Sequence, residues 1–196
     1  IDQIQLSGFE FLNQLKNNIY VAAIYNLFVV MVLFMLCRIA FYFVNIDLFP
    51  DITFSRFLTI CKGGVMFDIS GVLYLNLVYL LMLSIPFTIR YNQGYLKIAK
   101  IIFLITNSIG IVANCMDMVY FKYTNRRTTS NFFDEFSNEN NLLKIIGNGL
   151  IDYWYVTLLG IFLLFLLFKF YHNPSPKKIA GEKNYIYYSR NAIAFL

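Results

Sequence analysis

Residues 126–130 read RRTTS, two adjacent arginines followed by three hydroxyl side chains, and they stand between apolar runs. Guanidinium groups bind phosphate in a bidentate fork, and hydroxyls can complete the oxygen shell around it. Arg126, Arg127, Thr128 and Thr129 are therefore candidates for holding an anionic lipid headgroup. The plainer reading is an interfacial basic pair, solvated or resting on lipid phosphates. A second polar set lies within or beside the longest apolar runs: Arg38, Asp68, Asn114 and Asp117. An arginine within a membrane span costs at least about 2.5 kcal/mol and usually meets a partner or a wet cavity. Arg38 is expected to pair with Asp68 or Asp117, and lipid or substrate contact is the compatible functional alternative.

Little else in the sequence suggests a reactive centre. Cys37, Cys61 and Cys115 form no C-x-x-C pair and point to neither zinc nor a disulfide framework. The sole histidine, His172, sits beside Asn173 and Pro174 with no orienting partner in the pattern, so it reads as a solvated juxtamembrane residue rather than a base. No glycine-rich phosphate loop and no Ser/His/Asp order occurs. No catalytic residue or metal ligand is assigned within these residues, and no nucleic-acid partner is expected.

The elements that must position these residues follow from composition. The 196 residues are 59% hydrophobic and 19% aromatic, with only 14% charged, against roughly 25% charged in soluble domains. Uncharged stretches run over 17–37 and 69–89 (21 residues each) and over 101–116 and 153–168 (16 each). About 20 apolar residues cross a bilayer, and a flanking lysine or arginine can extend a shorter run by snorkelling. The expected fold is an all-α polytopic membrane protein, a four-helix transmembrane bundle with spans near 19–44, 69–89, 97–121 and 152–171. Short interfacial helices are expected near 54–66, with a bend at Gly63 and Gly64, and near 129–147, capped by Thr129, Ser130 or Asn131. Asn107, Gly110, Asn114 and Asp117 recur at helical spacing and share one face of the third span.

Alternation through the bilayer places residues 1–18, 90–100 and the tail after 169 on one side. That side collects nine lysines and arginines, against six on the side of 45–68 and 122–151, which also carries most of the acids. Lysine and arginine in short loops favour the cytoplasm, so the amino terminus is expected inside and RRTTS outside. The chain begins at Ile1 and stops within the apolar NAIAFL, and a continuation is expected at both ends.

The segments CRIAFYFVN (37–45), KGGVMFDIS (62–70), YFKYTNRRTTSNFF (120–133) and DYWYVTLLG (152–160), in this order, resemble the amino-terminal membrane region of bacterial sulfatase-like proteins of the lipoteichoic acid synthase family, in the alkaline phosphatase superfamily. The resemblance covers about residues 38–169. It implies a five-helix membrane domain in the bacterial cytoplasmic membrane, with the fifth helix starting at 193–196. A catalytic domain outside the cytoplasm would follow residue 196, using a threonine nucleophile and a divalent metal, manganese or magnesium, to transfer phosphoglycerol or phosphoethanolamine from a lipid. The implied partners are membrane lipids and that carboxy-terminal domain; none of its catalytic residues falls within this chain. A small four-span transporter or channel, or a structural membrane subunit that binds a partner, stays open beside this reading.

Overall fold

The computed structural model describes residues 19–50, 53–84, 92–125 and 148–173. Its elements are helical: α1 Ile19–Val44, a 3-10 turn Ile46–Leu48, α2 Phe54–Leu75, α3 Leu77–Ser84, α4 Gln93–Thr124 and α5 Trp154–Phe170. No strand occurs among the described residues. Long uncharged runs become helices here because lipid offers no hydrogen bonds, so each backbone group must find its partner within the segment. α1, α2 and α4 are long and apolar enough to cross a membrane, and α5 is a shorter apolar helix of 17 residues. The chain folds as a helical membrane bundle.

Local chemistry sets the helix ends. The Asn92 side chain caps α4 by accepting from the Gly94 N–H at 2.7 Å. At the other end Asn125 adopts the left-handed conformation, φ 53°, and its N–H returns to the Phe121 carbonyl. Asparagine tolerates this geometry better than most residues.

The stretch after residue 53 differs from the expected interfacial helix over 54–66, bend at Gly63–Gly64 and separate span from 69. One helix runs unbroken from Phe54 to Leu75, and the interruption comes at Asn76. Gly63 lies in open space on the helix surface, whereas Gly64 admits the Arg38 side chain. Glycine here serves close approach instead of bending. The expected helix near 129–147 and the helix start at 193–196 lie outside the described residues.

Side-chain contacts give the chain directions. Asn45, just past α1, donates to the Met118 carbonyl near the end of α4, while Asn26 near the start of α1 meets Tyr79 of α3 and His172 just after α5. Thus α1 and α4 run one way, and α2–α3 and α5 run the other. α1 and α4 each pack against every other helix, flanked by α2–α3 and α5. The core between them includes Val30, Leu33, Val72, Phe103, Ile111, Met118, Leu163 and Leu167. Gly110 lets α1 and α2 close on α4, since a Cβ there would press on Phe34 and Leu75. Large apolar residues such as Ile24, Phe28, Ile105, Ile109, Phe162 and Phe165 point outward, whereas among the described residues the buried polar ones are the asparagines Asn26, Asn45, Asn76 and Asn107. An apolar exterior around buried amides suits lipid as the solvent.

Candidate functional site: the polar end of the bundle

Arg38 lies two turns from the end of α1 and reaches across to α2. Its Nη2 donates to Asp68 Oδ1 at 2.7 Å and its Nε to Oδ2 at 3.3 Å, a two-point ion pair, while Nη2 also donates to the Gly64 carbonyl at 3.2 Å. Both side chains are 15% exposed. A Cβ added at Gly64 would collide with the guanidinium, so this glycine is what allows the arginine to lie flat on α2. The i, i+4 spacing of Gly64 and Asp68 puts both groups on one face of α2. Arg38 therefore meets Asp68 rather than Asp117.

The other residues of the polar set divide. Tyr42, one turn beyond Arg38, faces the same way and packs against Phe57 of α2, ring centres 4.6 Å apart. Asn45 turns toward α4, donating to the Phe41 and Met118 carbonyls; its buried Oδ1 has no hydrogen-bond partner among the described residues. Asn114 is half-buried and donates to the Gly110 carbonyl of its own helix. Asp117, also half-buried, has interactions of its own. Arg126, Arg127, Thr128 and Thr129 lie outside the described residues.

Aromatic rings surround this end. Phe121 of α4 packs edge-on against Phe41 at 5.0 Å and stacks on Phe49 at 5.8 Å. Tyr123 shares a short hydroxyl contact with Tyr153 at the start of α5, and Tyr155 and Trp154 continue the line. Tyrosine and tryptophan collect where hydrocarbon meets headgroups, so these rings mark one membrane boundary and place Arg38 and Asp68 just within it.

Asn26 and Asn76 were not among the residues singled out by type and spacing. Asn76 and Asn107 exchange amide hydrogen bonds at 3.0 and 2.7 Å, and each gives its second N–H to the carbonyl four residues earlier. The pair is fully buried and satisfied where α2 gives way to α3. Asn26 mimics a backbone group: its Nδ2 donates to the His172 carbonyl at 2.9 Å and its Oδ1 accepts the His172 N–H at 2.8 Å. The His172 ring is half-buried, its edge against Tyr25, and so is less solvated than expected. A lone amide within an uncharged run is the signal that could have found both asparagines.

Among the described residues no group of three histidines, cysteines or carboxylates stands close enough to hold a metal. Comparison of the chain with protein-family models, curated proteins and solved structures finds no match.

Proposed function

We propose that this chain is the membrane domain of a sulfatase-like transferase of the lipoteichoic acid synthase type. Anchored in the bacterial cytoplasmic membrane with its amino terminus inside, it holds the lipid-linked phosphoglycerol or phosphoethanolamine donor near a catalytic domain outside. The observation that carries this reading is convergence. The four segments behind the resemblance are separated by up to about a hundred residues, yet parts of all four meet at one end of the bundle. Arg38 joins Gly64 and Asp68, Phe41 meets Phe121, and Tyr123 meets Tyr153.

In this reading the ion pair fixes α1 to α2, the aromatic ring marks headgroup depth, and Arg126 and Arg127 follow directly on the last residues of that end. Each charge-assisted phosphate contact contributes roughly 1.5 to 3 kcal/mol. In the full-length protein, Arg126→Ala or Arg127→Ala is expected to weaken binding of the anionic lipid donor about tenfold or more. Lys144→Ala should do much less, and Thr128→Val or Thr129→Val should have effects smaller than either arginine. Unchanged lipid binding and transferase activity in the double arginine variant would overturn the headgroup assignment.

A further inference from the structure

Two of the three cysteines meet. Cys37 stands one residue before Arg38 on α1 and Cys115 two residues before Asp117 on α4, and their side chains are hydrogen-bonded to each other. Contacts on both sides along the same pair of helices fix this meeting. Toward the middle of the bundle a Cβ at Gly110 would press on Phe34, and toward the aromatic end Phe41 packs on Phe121 at 5.0 Å. Because α1 and α4 run in the same direction, these contacts hold the register in which residue 37 faces residue 115. Cys37 is 1% exposed, whereas Cys115 is half-buried with its Sγ facing Gly160 of α5. The third cysteine, Cys61, is buried on α2.

A single buried thiol serves as a small apolar side chain. Two in contact across a helix pair can also be joined, since a disulfide needs its Cβ atoms close together and the backbones in register, and the close approach of α1 to α4 at Gly110 favours both. We propose that Cys37 and Cys115 are a redox-active pair whose reversible oxidation to a disulfide ties α1 to α4 beneath the polar end. The difference in exposure sets the order of steps. The Cys115 sulfur attacks an organic disulfide and expels one thiolate, which takes up the proton that Cys115 gives up. The Cys37 sulfur then attacks the Cys115 sulfur of the mixed disulfide and expels the second thiolate, which takes up the Cys37 proton. The two protein thiols are oxidised and the organic disulfide is reduced to two thiols. Since Arg38 follows Cys37 directly, the bond also holds the turn of α1 that carries the ion pair to Asp68. The pair is independent of the headgroup assignment.

The test treats the full-length protein in isolated membranes with dithiodipyridine, a lipid-soluble organic disulfide, and maps the cysteine peptides by mass spectrometry without reduction. The parent should give a peptide pair linked through Cys37 and Cys115, lighter by two hydrogens than the free peptides together, and dithiothreitol should restore both thiols. Cys37→Ala should stop at the first step and keep a pyridylthio adduct on Cys115, whereas Cys61→Ala should form the linkage as the parent does. In detergent the linked protein should unfold about 5 to 15 °C above the reduced one. A lasting adduct on Cys115 in the parent, both thiols unreacted in excess reagent, or linkage without a rise in unfolding temperature would overturn the proposal.

Discussion

Arg38 is the residue on which the polar end depends. Removing one partner of a largely buried pair leaves the other charge uncompensated, whereas replacing both with apolar groups restores a consistent interior. Arg38→Met is therefore expected to destabilise the bundle by about 3 to 5 kcal/mol, and Arg38→Met/Asp68→Leu to recover most of it, as read by unfolding in mixed detergent. The two neighbouring glycines make a sharper pair. Gly64→Ala should displace the guanidinium and cost much of what the ion pair contributes, whereas Gly63→Ala, with open space around it, should be neutral or stabilising through helix propensity. Equal effects from the two substitutions would contradict the packing of Arg38 on Gly64. The sequence made Arg38 and Asp68 legible because a charge in lipid demands a partner. It could not separate Gly64 from Gly63, since only the crossing of α1 over α2 decides which glycine lies beneath the guanidinium.

Amides in place of charges join the elements in the middle of the bundle. The Asn76–Asn107 pair ties the break between α2 and α3 to the centre of α4, and neither residue is exposed. Asn76→Leu alone leaves the Asn107 amide short of a partner, at a cost of about 1 to 3 kcal/mol. Asn76→Leu/Asn107→Leu should be closer to the parent than either single change, and a double-mutant cycle should give a coupling of about 1 kcal/mol. Strict additivity would mean that the two amides do not interact. That α1, α4 and α5 would be apolar helices was readable from charge-free length. The course of 54–84 was not, because glycines that permit a bend do not require one, and the actual interruption depends on a hydrogen bond to residue 107, distant in sequence.

Across the whole molecule, the two ends of the bundle differ in polarity. One carries Arg38, the described acids and an aromatic rim; the other carries Lys97, Lys100 and Lys169, with no acid among the described residues. α4 joins the two ends, and its 32 residues span about 48 Å, longer than a hydrocarbon core of about 30 Å, so both of its termini reach water. The bundle class could be read from composition alone, but the convergence of four separated segments at one end could not, since it depends on which helices run in parallel. The most direct measurement places single thiols at the two ends of this one helix, Gln93→Cys and Lys122→Cys, in a chain whose native cysteines are replaced, and treats intact cells with a membrane-impermeant thiol reagent. The thiol at 122 should be modified, and the thiol at 93 should be modified only after the cells are opened. Labelling of 93 in intact cells with protection of 122 would invert the molecule in the membrane and contradict a headgroup site facing an outer catalytic domain.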